Sequence, residues 1–313
     1  MHHLFMTGDI TIAMTLKNSS RTLPDVLKAI SQINGIRNRI KLVFVDAKSS
    51  DGSWELLQDF KGKHKGDFYS IELLSQDCDI TEGRNICINR AQGLFILFVD
   101  SDVVIPSELV REIEETFLSN PRLAFINVPC IVEGHKKGWL DKFFDSIKEP
   151  MGMSCAAIRI SALQEVGPYF TGLPGGENPN ELILRLRKKG YENMNFKKAA
   201  LHIKQKPRGF LGYVKSSFHS STFFHLQEIK AGNRYLIVKY IYYTALLASL
   251  FLTMISPYPF ILLGMVGMMH YLLKSKGNPI VLPALLVGMI LPIGLLYWIL
   301  RGMNFRQNYK KAT

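Results

Sequence analysis

The sequence predicts an α/β fold, with a mostly parallel sheet flanked by helices, followed by an amphipathic segment and an apolar C-terminal region. Three observations carry this. Short apolar runs alternate with helix-period segments from Ile10 to His202. The run Leu94 to Val99, suited to a strand buried on both faces, stops at Asp100-Ser101-Asp102. After Arg234 the chain turns strongly apolar.

The elements follow in order. Ile10 to Leu16 is the first strand. Leu23 to Ile33 is a helix, with Leu23, Val26, Leu27 and Ile30 on one face and Pro24 near its start. Ile40 to Val45 is a strand that ends at Asp46, and Asp51-Gly52-Ser53 turns the chain into a helix over Trp54 to Phe60. Phe68 to Leu73 is a weak strand, and Glu82 to Gln92 a helix with Arg84 and Asn85 in its first turn. The strand to Val99 leads to a helix over Pro106 to Leu118. Leu123 to Val132 reads as a strand interrupted by Pro129, and Gly138 to Ile147 as a short helix. Ala156 to Ile160 is a strand, and Ser161 to Glu165 opens a short helix ended by Gly167-Pro168. A loop dense in Gly and Pro runs from Leu173 to Pro179, then a helix from Glu181 to Lys189 stops at Gly190. Asn195 to His202 closes the globular part.

Composition sets bounds. The 313 residues are 47% hydrophobic, enough for one large domain or two smaller ones. A net charge of +12 suits nucleic acid, an anionic membrane face or a phosphorylated substrate. A nucleic-acid role explains neither the acidic strand end nor the apolar tail, so nucleic acid is not an expected partner. Cys78, Cys87, Cys130 and Cys155 match no metal knuckle or redox pair and read as reduced. The N-terminal residues form no apolar run long enough for a signal peptide, so the globular part is expected in the cytoplasm. No dinucleotide glycine fingerprint or Walker A loop is present.

Asp100 and Asp102 fall at the C-terminal edge of a central strand, where open α/β sheets bind ligands. Two carboxylates this close repel, and a divalent cation relieves the repulsion and can hold a diphosphate. A strand followed by an acidic turn is the other reading of the same residues.

In Pro207 to Gln227, Arg208, Lys215, His219 and His225 are interleaved with Phe210, Tyr213, Phe218, Phe223 and Phe224. Such a stretch suits a membrane surface, and a solvated helix against the sheet is the alternative. Tyr235 to Ile255, Pro259 to Leu273 and Ile280 to Leu300 are apolar. The outer two reach the ~20 residues a bilayer span needs, and the middle one is marginal: it is extended by Tyr258, or is a re-entrant or tilted piece. The basic loop at Lys274 and Lys276 fits a cytoplasmic loop after an outside turn at Ser256-Pro257. Three full spans place Arg301, Arg306, Lys310 and Lys311 outside, against the positive-inside trend. A buried hydrophobic helical domain is the alternative for this tail.

Over residues 10 to 205 the chain resembles a membrane-anchored family 2 glycosyltransferase with the inverting GT-A fold. The resemblance rests on pieces in the family order: Met14-Thr15-Leu16-Lys17-Asn18, then Val45-Asp46 with the turn to Ser53, then Arg84-Asn85 with Ala91-Gln92-Gly93, then Asp100-Ser101-Asp102, then Glu181 to Tyr191. The resemblance implies that Asp46 contacts the nucleotide base and that Arg84 lies near the nucleotide. It implies that Asp100 holds ribose or metal, that Asp102 ligates the metal, Mn²⁺ or Mg²⁺, and that His202 approaches the metal or the diphosphate. The family places a general-base Asp a few residues before the late helix. Here that position holds Asn178 or Pro179, depending on the direction of counting. Glu177 is then the preferred base and Glu181 the second choice, though Glu181 also suits a helix cap.

The expected domains are a catalytic GT-A part (1–205), an amphipathic interface segment (206–232) and a transmembrane region (233–313). The expected protein is a multi-pass cell-membrane enzyme with a cytoplasmic catalytic domain. It transfers a sugar, with inversion, from a UDP- or GDP-linked donor to a hydroxyl of a lipid-linked or exported glycan. A polyprenyl-phosphate glycosyltransferase and a catalytically silent sugar-nucleotide-binding membrane protein are the alternatives. Membrane lipids are expected partners, and three spans serve as a glycan conduit only in a homo-oligomer.

Overall fold

The structure is a computed structural model that describes residues 9–132, 152–169, 179–203, 225–230, 232–251, 256–274, 289 and 292–293. The chain divides into two compact units, and among the described residues the strands lie in the first. In chain order its elements are β1 (Ile10–Leu16), α1 (Leu23–Ser31), β2 (Ile40–Asp46), α2 (Ser53–Lys63), β3 (Ser70–Ser75) and α3 (Ile80–Arg90). Then come β4 (Phe95–Val99), β5 (Val103–Val104), α4 (Leu109–Ser119), β6 (Leu123–Asn127), β7 (Cys130–Val132), β8 (Cys155–Arg159) and α5 (Ile160–Val166). The unit ends with α6 (Pro179–Lys188), β9 (Glu192–Asn195) and β10 (Ala200–His202).

The main sheet has the order β3-β2-β1-β4-β8-β6-β9. Pairings among β3, β2, β1 and β4, and between β6 and β9, are parallel, while β8 runs antiparallel to both neighbours. Strand order reverses around β1 and β4, which opens a crevice at their C-terminal ends. Period-2 alternation buries both faces. Ile10, Ile12 and Met14 face one core with Leu23, Val26, Leu57, Ile113 and Phe117 of α1, α2 and α4. Ala13, Val43 and Phe98 face the other with Cys87, Leu163, Leu182 and Leu186 of α3, α5 and α6.

Two arginines close the ends of elements. Arg159 is buried and donates to the carbonyls of Phe117 (2.7 Å), Asn120 (3.0 Å) and Leu123 (2.8 Å), so a cation sits at the carbonyl end of α4. Arg39 binds Glu114 of α4 with two nitrogens and Asp9 at 3.2 Å. Beside Asp9, Gly93 has φ +91°, and an added Cβ there stands 2.1 Å from the Asp9 carbonyl oxygen.

Several expected boundaries move. Leu123 to Val132 is two strands in two sheets, because Pro129 breaks the run and β7 pairs with β10 instead. The helix expected from Pro106 begins at Leu109, and before it a short strand not expected from the sequence, β5, pairs antiparallel with β10. Of the closing segment Asn195 to His202, only Ala200–His202 is a full strand, β10; β9 lies before it and ends at Asn195. The helix expected over Gly138 to Ile147 lies outside the described residues.

The second unit contains α7 (His225–Lys230), α8 (Arg234–Phe251) and α9 (Tyr258–Lys274). α8 and α9 overlap the first two of the three apolar segments, of which the first is expected to cross a bilayer and the second is marginal. Their described residues, 18 and 17 in number, make about 27 and 26 Å of helix at ~1.5 Å per residue. Arg234 and Lys239 further charge the start of α8. Among the described residues no helix is long and apolar enough to cross a membrane. Nearly all of Ile280 to Leu300, and residues 207–224 of the amphipathic segment, lie outside the described residues.

Candidate functional site

The site forms where β1, β2 and β4 end. Short polar side chains tie the three following loops together. Asn18 N donates to Ser49 Oγ (2.8 Å) and Ser50 N to Asn18 Oδ1 (2.9 Å). Ser19 N donates to Ser53 Oγ (2.8 Å). Ser20 N and the Ser53 hydroxyl both donate to Asp51. Partial burial pushes the Asp51 carboxyl up, but the hydrogen bonds from Ser53 and Ser20 outweigh it and hold the group at about 2. The ties bend the backbone sharply enough that Asn18 and Lys48 take left-handed φ values of 52° and 57°.

The acidic turn joins this lattice through its middle residue. Ser101 Oγ shares a hydrogen bond with Ser19 Oγ (2.8 Å), and the Ser101 carbonyl accepts from Thr22 Oγ1 (2.8 Å). The flanking carboxylates are left to other partners. Asp100 Oδ1 accepts from Arg84 Nη2 at 2.7 Å, and its main-chain N–H donates to Ser154 O. Arg84 is only 2% exposed and lies 5.5 Å from the Phe98 ring centroid, so it addresses Asp100 from beneath. It stands there because α3 packs closely on β1. A Cβ at Gly83 meets Thr15 Cγ2 at 2.3 Å.

Asp102 Oδ1 lies 3.7 Å from His202 Nε2, and the Ile203 N–H donates to the Asp102 carbonyl. β10 brings His202 here by pairing it with Val103 of β5 and Val132 of β7. His202 is buried, and its Nδ1 has no hydrogen-bond partner among the described residues. Asp46, at the end of β2, is 1% exposed. Its Oδ2 accepts from Ser49 N (3.0 Å), while Oδ1 has no hydrogen-bond partner among the described residues. Two buried polar atoms on this edge thus have no hydrogen-bond partner among the described residues, a costly arrangement in a folded protein.

A cleft of about 570 Å³ opens beside these residues, between Thr15, Lys17 and Ala47 on one side and Cys78, Ile80 and Glu82 on the other. Burial, then the nearby Glu82 and Asp79, push the Cys78 thiol up, which keeps it protonated and weakly nucleophilic.

Glu181 lies in the first turn of α6. Glu181 is 0% exposed, and both its oxygens accept from Arg185, at 2.8 and 2.9 Å. Glu177 and Asn178 lie outside the described residues. The structure therefore gathers Arg84, Asp100, Asp102 and His202 in one contact chain, with Asp46 on the neighbouring strand end. Arg84 meets the Asp100 carboxylate, at the strand edge where the resemblance places the nucleotide. Three features were missed: the Ser19–Ser101–Thr22 tie, the capping box of Asp79 and Glu82 that opens α3, and the grip of Asn85 on Tyr169. Only the second has a local signature, Asp79-Ile80-Thr81-Glu82.

A divalent cation is the group Asp102 and His202 could hold, a carboxylate and an imidazole that suit a borderline ion. No group of three or more His, Cys, Asp or Glu able to hold a metal occurs among the described residues.

Comparisons with known proteins agree with this geometry. Poly-beta-1,6-N-acetyl-D-glucosamine synthase of Staphylococcus epidermidis is 25% identical over 118 residues, 37% of this chain and 27% of that protein. Poly(ribitol-phosphate) beta-glucosyltransferase of Bacillus spizizenii is 31% identical over 99 residues, 32% of this chain and 16% of that protein. The chain thus spans about a quarter or less of the curated relatives it matches. Among solved structures, mannosyltransferase PcManGT from Pyrobaculum calidifontis, in complex with GDP-Man and Mn²⁺, superposes with a TM-score of 0.61 at 14% identity, covering 92% of this chain and 88% of that one. S. aureus TarS 1–349 in complex with UDP-GlcNAc gives 0.51 at 13% identity, covering 72% and 69%. These likenesses establish the GT-A-like fold. The profile of Glycosyl transferase family 2 runs over residues 11–172, from β1 through the acidic turn to the segment after α5, and on that match the chain belongs to glycosyl transferase family 2.

Proposed function

We propose that this protein transfers a sugar, with inversion, from a nucleotide-sugar donor to a hydroxyl of a lipid-linked or exported glycan. The observation that carries the reading is the pinned acidic turn at the sheet's switch point, with unpaired buried atoms of Asp46 and His202 on the same edge. The unpaired Asp46 oxygen suits an N–H donor of a uracil or guanine base. Asp102 and His202 would hold a Mn²⁺ or Mg²⁺ ion, which supplies stabilisation of the charge that grows on the departing diphosphate. Arg84 neutralises Asp100 from below and fixes its carboxylate. The acceptor oxygen forms its bond to the anomeric carbon from the face opposite the diphosphate, whose bond to that carbon breaks. Glu177 takes the hydroxyl proton, because Glu181 is held through both oxygens by Arg185.

A polyprenyl-phosphate acceptor is the second reading. Its oxygen is already ionised and needs no base, and Asn178-Pro179 stands where relatives carry the base. Turnover of donor would eliminate the silent-binder alternative.

The test of the donor site is calorimetry with UDP and with GDP, with and without Mn²⁺. Asp102→Asn is expected to abolish the Mn²⁺-dependent part of the affinity. A folded Asp102→Asn protein with unchanged metal-dependent affinity for both nucleotides removes Asp102 as a ligand.

We further propose that residues 206–313 attach the enzyme to the cell membrane, with residues 1–205 as the cytoplasmic catalytic part. The support is a dense exposed apolar surface on α9, where Tyr258, Leu262, Met265, Met269 and Leu273 are each more than half exposed. Full-chain protein is expected to stay with membranes washed in carbonate. Its release into the soluble fraction overturns the integral attachment.

A further inference from the structure

The main sheet ends in two edge strands, β3 and β9. An edge strand presents a row of unpaired N–H and C=O groups, a template for one more strand. β3 carries a guard against this. Its Glu72 puts a charge in mid-strand, held by Lys41 (3.2 Å) and by Arg90. β9 has no such guard: its central residues are Asn193 and Met194, and no proline interrupts it.

Among the described strands β9 pairs with β6 alone. Glu192 N donates to Arg122 O (2.8 Å) and Phe196 N to Asn127 O (2.7 Å), so the even-numbered N–H groups point at β6. Strand geometry then turns the N–H and C=O of Asn193 and Asn195 outward. Side chains alternate across the sheet in the same step. Met194, Phe196 and Lys198 line a groove of about 820 Å³ against Glu112, Glu115 and Ser119 of α4. Met194 and Phe196 pack on the core from one side and leave part of their surface to the groove.

The pattern of β9 itself selects the occupant. A twofold pair needs a surface that matches its own copy. In an antiparallel pair, outward-facing residues oppose outward-facing ones, so the axis passes through a residue. With Asn195 on the axis, Met194 of each copy faces Phe196 of the other, and Glu192 faces the Lys197–Lys198 corner. Lys198 is bound to Glu112, which leaves the exposed Lys197 to meet the exposed Glu192. Apolar surface then covers apolar surface, and acid meets base at each end. With Met194 on the axis, Glu192 would face the Phe196 ring instead, an acid desolvated without a counter-charge. We propose that β9 joins two copies of this chain antiparallel about Asn195, so that two sheets become one. β9 runs parallel to β6, and paired β9 strands run in opposite directions. The two candidate sites therefore open at opposite ends of the joined sheet, and the pairing covers neither.

The test uses the full chain in detergent micelles at micromolar concentration, with light scattering to read the protein mass. Wild type is expected at twice the chain mass. Asn193→Pro removes an outward N–H that β6 does not use, and is expected to give monomer. Glu192→Lys sets like charges at both ends and is expected to raise the dissociation constant roughly tenfold. Adding Lys197→Glu to it restores opposite charges and is expected to return the constant to within about threefold of wild type. Asn195→Cys places two thiols across the axis, where Cα atoms about 5.5 Å apart suit a disulfide. Oxidant is expected to cross-link this variant well beyond wild type treated alike. A wild-type monomer leaves the edge to a foreign strand and overturns the proposal. So does a dimer that survives both Asn193→Pro and Glu192→Lys, or one that Asn195→Cys does not cross-link. If Asn193→Pro does not fold, the charge swap decides, and failure of the double variant to recover a lost dimer overturns the pairing about Asn195.

Discussion

Glu177→Gln leaves donor affinity near that of wild type and cuts transfer to a sugar hydroxyl by roughly 10² or more. The expectation follows by exclusion among the carboxylates and their neighbours before α6. Asn178 cannot take up a proton at neutral pH, and Pro179 opens the helix. Glu181 is fully buried, and moving a proton to it means breaking a two-point pair with Arg185. The measurement is single-turnover transfer with hydroxyl and polyprenyl-phosphate acceptors supplied separately, alongside donor affinity. With the phosphate acceptor the same variant loses little, because the attacking oxygen is already charged. Full activity on a hydroxyl acceptor shifts the base to another residue, and an inactive but folded Glu181→Gln then names it.

Gly93→Ala is expected to destabilise the fold by about 3 kcal/mol, from overpacking and left-handed strain together. The added Cβ stands 2.1 Å from the Asp9 oxygen and 2.8 Å from its Cα, so backbone and not a yielding side chain blocks it. The Gly93 φ of +91° also disfavours any L side chain. The contact cannot relax cheaply, because Leu94 N donates to Asp9 O at 2.7 Å and Asp9 is bound by Arg39. Moving it shifts the start of β4, and with it the register that delivers Asp100. Denaturant melts of the two proteins check this; a loss under 1 kcal/mol means the β1 and β4 entries adjust freely.

What the sequence revealed followed the strength of its periodic signals. β1 and β4 show as apolar runs and are buried on both faces, and α1 and α4 are long enough to show helical spacing that their buried residues match. β5, β7 and β10 are two or three residues each, too short for any period, yet they deliver His202 to Asp102. Asp46, Asp100 and Asp102 stood out because they end apolar runs. Their partners did not, because the contacts between Ser19 and Ser101 or Asn85 and Tyr169 span more than eighty residues. The direction of Arg84 was illegible for a similar reason. It depends on how closely α3 approaches β1 at Gly83, a packing fact without a local pattern.

The middle residue of the acidic turn has its own consequence for how this site can change. Ser101 commits its hydroxyl to Ser19 and its carbonyl to Thr22, so a residue conventionally written as x is a structural node. Substitutions at positions 19, 22 and 101 are energetically coupled and do not add as independent events. A larger residue at 101 becomes tolerable only in a background where 19 has already yielded space. Drift across this turn is therefore confined to concerted paths, and the two outer aspartates inherit their constancy of position from a serine that need never touch the substrate.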